Sequence, residues 1–206
     1  MSAVQGKETA SSEALQADPL PDRRTTPRFA VLSQTAKLIG EDQECLCVIR
    51  NASVDGVKVG HFGFLPDGDA FEFELSNGEV FPVEVVWRND EGAGLKFPSE
   101  VDLERLAKLG NDEDSRQHLR FDTALEGQVA NGMTRHRVSI RNVSQQGVCL
   151  ECGSELAKGS ELTVELDDGR SIKANVRWHM SKIYGLMFDD LLELDQLAAI
   201  IASNRR

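Results

Sequence analysis

Short runs in which apolar and polar residues partly alternate make up most of the second half of the chain. Alternation with a period of two is typical of a strand with one buried face. The turn residues Asn131-Gly132 and Asp168-Gly169 stand between such runs, and these pairs favour hairpin turns that need positive φ. The predicted strands are Phe121–Ala130, Thr134–Asn142, Gly147–Glu151, Glu161–Leu166, Ser171–Trp178 and Ile183–Phe188. Six closely spaced strands predict a small antiparallel barrel, in which closure removes the exposed edges.

Helical spacing of apolar residues replaces the alternation at two places. Ser99 to Ala107 opens with a serine suited to an N-cap, and Leu191 to Ala202 continues the same spacing for longer. We predict that each segment is a helix that caps the barrel before it. The first helix also fits the role of a spacer between domains.

An internal repeat extends the barrel prediction to the first half. The sequence IRNASVDGV at residues 49–57 returns as IRNVSQQGV at residues 140–148, an offset of 91. Two further landmarks keep this offset, namely Trp87 with Trp178, and Gly94–Phe97 with Gly185–Phe188. Landmarks in one order at constant spacing indicate a tandem duplication. The predicted fold is therefore mainly β, with two tandem six-stranded antiparallel barrels, each followed by a C-terminal helix.

Composition along the chain suggests three segments. Residues 1–21 are rich in Ala, Ser, Glu and Gln, and we expect a disordered tail there. Residues 22–110 would form the first barrel with its helix, and residues 111–206 the second barrel with its C-terminal helix. No apolar run approaches the roughly 20 residues that span a bilayer, and residues 1–21 lack the apolar core of a secretory signal. We expect a cytoplasmic protein without membrane insertion.

The charge of the chain disfavours DNA or RNA as a partner. The formal net charge is −11, whereas affinity for a phosphate backbone comes from massed Lys and Arg. A small anion needs only a local positive pocket, which an acidic protein can still provide.

The four cysteines are Cys45, Cys47, Cys149 and Cys152. The spacing of Cys149 and Cys152 is one that zinc sites use, but a structural zinc site needs four convergent ligands. Cys45 and Cys47 are two residues apart, which places both on one face of a strand. We interpret the cysteines as reduced, small buried hydrophobes and expect no metal site.

Two short polar motifs occur in both repeats. Paired arginines four residues apart precede the first strand of each unit, and an Asn-x-Ser-x-x-Gly motif follows a later strand. Guanidinium groups suit bidentate pairing with phosphate or with the O6/N7 edge of guanine. Asn and Ser add short donors and acceptors, and Gly permits positive φ or a close approach of the backbone to a ligand. Taken singly, each motif also fits a solvated basic loop or an Asx-type turn, but both motifs occur twice in the same order.

The two motifs resemble the signature of the PilZ family of bacterial cyclic di-GMP receptors, R-x-x-x-R on a loop and [D/N]-x-S-x-x-G on a barrel. The resemblance covers nearly all of the chain after residue 21 and includes the Trp and Gly-Leu-x-Phe strands. It implies that cyclic di-GMP is held between the arginine loop and the barrel. The implied ligand-binding residues are Arg24, Arg28, Asn51, Ser53 and Gly56, with Arg23 as an extra contact, and Arg116, Arg120, Asn142, Ser144 and Gly147. Asp55 adds negative charge to the first copy, so the second copy is expected to bind more tightly.

No constellation of nucleophile, base and metal ligands appears in the sequence, so we expect no enzyme. The leading hypothesis is a receptor or adaptor that needs no cofactor. On binding cyclic di-GMP it would order its arginine loops, change the orientation of its domains and signal to an unidentified effector protein. The alternative is a protein-interaction scaffold in which one or both barrels no longer bind nucleotide.

Overall fold

The computed structural model describes residues 34–102 and 118–204, which form two closed antiparallel barrels of six strands each. This confirms the predicted fold class. The first barrel, called barrel 1, has the strand order β1-β2-β3-β6-β5-β4. Its strands are β1 Thr35–Ile39, β2 Glu44–Ser53, β3 Gly56–His61, β4 Ala70–Leu75, β5 Val80–Asn89 and β6 Gly92–Lys96.

The second barrel, called barrel 2, repeats this topology in the order β7-β8-β9-β12-β11-β10. Its strands are β7 Phe121–Asn131, β8 Thr134–Val143, β9 Gly147–Cys152, β10 Glu161–Leu166, β11 Ser171–Met180 and β12 Ile183–Phe188. Each observed strand agrees with its predicted counterpart to within two residues. Glycines with positive φ occupy the two predicted turns, namely Gly132 at 59° and Gly169 at 90°, and Gly159, between β9 and β10, has a φ of 82°.

Helix α1, Leu194–Ser203, follows barrel 2 and buries Leu197, Ala198, Ile200 and Ile201. It begins three residues later than predicted because Glu193 and Gln196 form a capping box, in which each side chain accepts from the other residue's backbone N–H. Most of the first predicted helix, Ser99 to Ala107, lies outside the described residues, as do residues 1–21. In the described part of the chain, no helix is both long and apolar enough to cross a membrane.

The interior of each barrel is filled by the inward residues of its alternating strands. Phe73 is fully buried in barrel 1 and Phe121 in barrel 2. The two cores meet, because Leu46 of β2 belongs to the core cluster of barrel 2 and Phe62 packs against the same cluster. The barrels therefore share an apolar interface on the β2 side of barrel 1.

All four cysteines are buried, reduced thiols, as predicted. Burial raises the pKa of the Cys47 thiol well above its usual range, with a smaller contribution from the charge of Cys45. Burial also raises the pKa of Cys149, although the nearby Arg141 and Arg120 oppose the shift. Among the described residues, no group of three or more His, Cys, Asp and Glu side chains is arranged to hold a metal ion.

All four thiols are expected to react slowly with iodoacetamide at pH 8 because they are buried. The thiolate is the nucleophile, so the raised pKa of Cys47 and of Cys149 slows these two further. Mass spectrometry after a timed exposure should show mostly unmodified native protein and rapid alkylation in denaturant. Fast alkylation of the native chain would contradict the burial of these residues.

Candidate functional site

The Asn-x-Ser-x-x-Gly motif forms the tight connection between two neighbouring strands of each barrel. In barrel 2 the Ser144 hydroxyl donates to the Gly147 carbonyl and accepts from the Gly147 N–H, both at 3.2 Å. In barrel 1 the Ser53 hydroxyl donates to the Gly56 carbonyl at 3.2 Å. The serines are only 7% and 4% exposed, for Ser53 and Ser144 respectively. Their hydroxyls therefore close the turn, and this fixes the end of the strand that carries the asparagine.

The glycine of the motif is required by the neighbouring strand. Neither Gly56 nor Gly147 has a positive φ. A Cβ on Gly147 would lie 2.2 Å from the Leu186 carbonyl oxygen, and one on Gly56 would lie 2.3 Å from the Leu95 oxygen. Contacts this short do not occur between real atoms, so a side chain at either position would push two paired strands apart. Close strand packing accounts for the glycine without invoking a ligand or an unusual φ.

Asn142 begins a row of four residues that crosses the outside of barrel 2. It pairs with Cys149 of β9, which pairs with Gly185 of β12, which pairs with Trp178 of β11. Register shifts lie next to both ends of the row, between Ile140 and Asn142 and between Val176 and Trp178. Such bulges re-aim side chains relative to the regular alternation. Barrel 1 repeats the row and both shifts with Asn51, Lys58, Gly94 and Trp87.

The tryptophans, interpreted from the sequence mainly as packing residues, cover glycines but remain partly exposed. A Cβ on Gly185 would lie 2.1 Å from the Trp178 indole, and one on Gly94 would lie 2.1 Å from the Trp87 indole. Yet 45% of Trp178 and 39% of Trp87 is exposed. Each barrel thus carries an indole that packs over a glycine and is still partly exposed to solvent.

A cavity of about 170 Å³ lies at the row in barrel 2. Its lining consists of Arg120, Ser144, Gln146, Gly147, Val148, Arg177, Trp178, Gly185, Leu186 and Met187. The Asn142 Oδ1 atom at the end of the row is buried and has no hydrogen-bond partner among the described residues. An unpaired buried acceptor is costly, so this atom marks a place where a donor from a ligand would be favourable.

Comparison with known proteins identifies the family. The PilZ domain family profile matches residues 22–111 and again residues 114–203. The chain belongs to the PilZ family. Barrels 1 and 2 are its two PilZ domains, and the resemblance seen in the sequence is confirmed. No match was found among curated proteins.

Solved structures with a similar fold include three bacterial proteins. PlzA of Borreliella burgdorferi, solved with c-di-GMP, is 15% identical, with 82% of this chain and 87% of that chain covered and a TM-score of 0.37. The motility inhibitor MotI (DgrA) of Bacillus subtilis is 15% identical, with 86% and 100% covered and a TM-score of 0.36. YcgR of Escherichia coli, solved with c-di-GMP, is 13% identical, with 83% of each chain covered and a TM-score of 0.31. At these TM-scores the likenesses support no further argument.

The structure brings three of the five expected site residues of the second PilZ domain to one cavity. Arg120, Ser144 and Gly147 line the same cavity, and Asn142 pairs with Cys149, the residue after the lining residue Val148. Asn51, Ser53 and Gly56 of the first PilZ domain adopt the equivalent turn. Arg23, Arg24, Arg28 and Arg116 lie outside the described residues.

Three residues at these sites were missed in the sequence. Arg177 lines the cavity of the second PilZ domain. Lys58 takes the place of Cys149 in the first PilZ domain, and its Nζ lies 5.6 Å from the centroid of the Trp87 ring. Gln146 lines the cavity between Ser144 and Gly147. The signal that could have indicated Lys58 was its charge within an apolar strand, at a position where the second repeat has the uncharged Cys149.

Proposed function

We propose that this protein is a non-enzymatic receptor for cyclic di-GMP, with one binding site on each PilZ domain. The observation that supports this most is that Arg120 and the exposed Trp178 line one cavity on barrel 2, while the row of residues that passes this cavity begins at the unpaired Asn142 Oδ1. A guanidinium fork pairs with phosphate or with the guanine O6/N7 edge. An indole face stacks on a base, and an unpaired amide oxygen accepts from a base N–H. These groups match the parts of a guanine dinucleotide.

Local charge at the second site favours an anion despite the acidic chain. Arg120 and Arg177 both line the cavity. Arg141 lies close enough to lower the pKa of Cys149 but is paired with Glu151 at 2.6 Å. The cavity therefore has two lining arginines for phosphate, whereas Arg141 does not line it and is already neutralised. Charged groups that are arranged in advance make binding specific without a basic surface elsewhere.

The cavity is smaller than the roughly 300–1,000 Å³ that usually encloses a ligand of drug size. Cyclic di-GMP would therefore lie on the outside of the barrel, and another part of the protein would cover the side of the ligand that faces away from the barrel. The chain preceding Arg120 carries Arg116, and it is the segment that joins the two domains. Closure of this segment over the ligand would let binding change the orientation of the domains and so signal to a separate effector. Small-angle scattering with and without saturating ligand tests the reorientation, and an unchanged profile would refute it while leaving binding intact.

Selectivity between bases tests the receptor proposal. Cyclic di-GMP should bind saturably, whereas cyclic di-AMP, which lacks the guanine O6 acceptor, should bind at least about tenfold more weakly, since a lost pairing with a charged donor costs roughly 1.5–3 kcal/mol. Equilibrium dialysis with both nucleotides measures this. Equal binding of both, or no binding of either, would refute the proposal and would favour a scaffold that acts through protein contacts.

Lys58 is expected to strengthen the first site. Lys58 pairs with Asn51 across β2 and β3 and its side chain is exposed, so a phosphate at this site can reach the ammonium group. The Lys58→Met substitution should weaken the first site about two- to fivefold, since an exposed charge pair contributes roughly 0.2–1 kcal/mol. Calorimetry in an Arg116→Ala/Arg120→Ala background isolates that site, and Lys182→Met in a turn of barrel 2 is the matched control. An unchanged affinity would show that Lys58 contacts only Trp87 and does not contribute to ligand binding.

A further inference from the structure

Lys37 is a buried charge at the contact between the two PilZ domains. It lies on β1 of barrel 1 and is only 7% exposed. Its Nζ pairs with Glu44 at 3.0 Å and with Glu74 at 2.8 Å. It also donates to the backbone carbonyl of Arg120 at 2.9 Å. The three donors of the ammonium group are thus all used, and one of them binds the main chain of the other domain.

Barrel 1 also contacts the two residues that follow that carbonyl, Phe121 and Asp122. The second carboxylate oxygen of Glu44 accepts from the Asp122 N–H at 2.8 Å. The Lys37 Nζ lies 5.7 Å from the centroid of the Phe121 ring. Arg120 and the first two residues of β7 therefore contact one lysine and one glutamate of barrel 1. The first of these residues carries a side chain that lines the candidate ligand cavity.

The two glutamates beside Lys37 favour the protonated form of the lysine. Burial alone lowers the pKa of Lys37, but hydrogen bonds and charge attraction from Glu74 and Glu44 outweigh burial, and the pKa is raised. The lysine therefore stays protonated near neutral pH and keeps its hydrogen bond to the Arg120 carbonyl. The repeat does not supply a second such cluster, because the residue 91 positions after Lys37 is Gln128, on the strand β7.

We propose that Lys37, together with Glu44, is a positioning residue for the ligand site of the second PilZ domain. Barrel 1 fixes the backbone from which the Arg120 side chain reaches the cavity, so that the guanidinium is already in place when the ligand arrives. Preorganisation of this kind raises affinity by reducing the ordering that binding must impose. By reciprocity, ligand bound to barrel 2 stabilises the contact between the domains. This inference rests on the proposed function.

Separate titration of the two sites tests the positioning role. An Arg24→Ala/Arg28→Ala background leaves only the second site, and an Arg116→Ala/Arg120→Ala background leaves only the first. Lys37→Met is expected to raise the Kd for cyclic di-GMP at least about tenfold at the second site, which is a loss of roughly 1.4 kcal/mol. It should change the Kd of the first site less than twofold. Glu72→Gln, on the outer face of β4 two residues before Glu74, is the control and should leave both sites unchanged.

A second variant keeps the test valid if Lys37→Met does not fold. Glu44→Ala preserves the ion pair of Lys37 with Glu74 but removes the acceptor of the Asp122 N–H, and it should weaken the second site selectively. Equal losses at both sites would indicate general destabilisation and overturn the proposal, as would an unchanged second site in both variants. If neither background binds cyclic di-GMP with Lys37 intact, the proposed function itself fails.

Discussion

Replacing Arg116 and Arg120 together by alanine is expected to remove one of two binding events for cyclic di-GMP. Each hydrogen-bonded contact of an arginine with a charged group contributes about 1.5–3 kcal/mol, so losing one arginine should weaken the second site roughly 10- to 150-fold. Losing both should take that site out of the measurable range. Calorimetry should then show a stoichiometry that falls from two sites to one, while the first site keeps its affinity.

Two comparisons make this result specific. Arg24→Ala/Arg28→Ala should have the mirror effect and leave only the second site. Arg135→Ala/Arg137→Ala is the matched control, since these arginines lie on β8 outside the cavity and Arg135 pairs with Glu165 at 3.1 Å. A control pair that weakens binding as much as Arg116 and Arg120 would point to general loss of positive charge. No loss in either PilZ pair would favour the scaffold hypothesis.

The Gly147→Ala substitution is expected to destabilise barrel 2 by about 1–3 kcal/mol, the usual cost of forcing extra volume into a packed site. The added Cβ would lie 2.2 Å from the Leu186 carbonyl oxygen and 3.2 Å from the Met187 Cα, both of them backbone atoms of the paired strand β12. A backbone in the middle of a sheet cannot move away alone, so β9 and β12 must separate. The turn held by Ser144 would shift with them, and ligand binding at the second site should weaken as well.

Chemical denaturation of matched glycine variants measures this effect. Gly153→Ala is the control, because nothing lies within 4 Å of its added Cβ, and its stability should stay within about 0.5 kcal/mol of wild type. Gly185→Ala should be milder than Gly147→Ala, since the Cβ meets the Trp178 indole, which can rotate outward. The Gly185→Ala substitution should also change the tryptophan fluorescence of the protein. A Gly147→Ala protein as stable as wild type would contradict the close packing of these strands.

Local pattern was sufficient to predict most of the fold. The strands of barrel 2 alternate clearly enough to place each of them, because an inward Val, Ile or Phe every second residue is what barrel closure needs. Gly132, Gly159 and Gly169 then divide the strands at turns that require positive φ. The start of α1 was placed too early, because apolar spacing extends back to Leu191 whereas the helix begins after the capping box of Glu193 and Gln196.

The site could be predicted only where its residues are contiguous in sequence. The motifs around Asn142 and Asn51 were recognised, but the reason for their glycines was different, because the Leu186 and Leu95 carbonyls that exclude a side chain come from a strand nearly 40 residues away. Lys37 shows more clearly that contacts between distant parts of the sequence could not be predicted. Its neighbour Arg120 is 83 residues further along the chain, and no local pattern connects a strand lysine with the backbone of another domain.

The most direct test of the account is a calorimetric titration of the full chain with cyclic di-GMP, next to the variant that lacks Arg24, Arg28, Arg116 and Arg120. We predict saturable binding of the wild-type chain with two sites and no heat above dilution for the variant. Equal heats for both proteins, or none for the wild type, would contradict the claim that the two PilZ domains are cyclic di-GMP receptors.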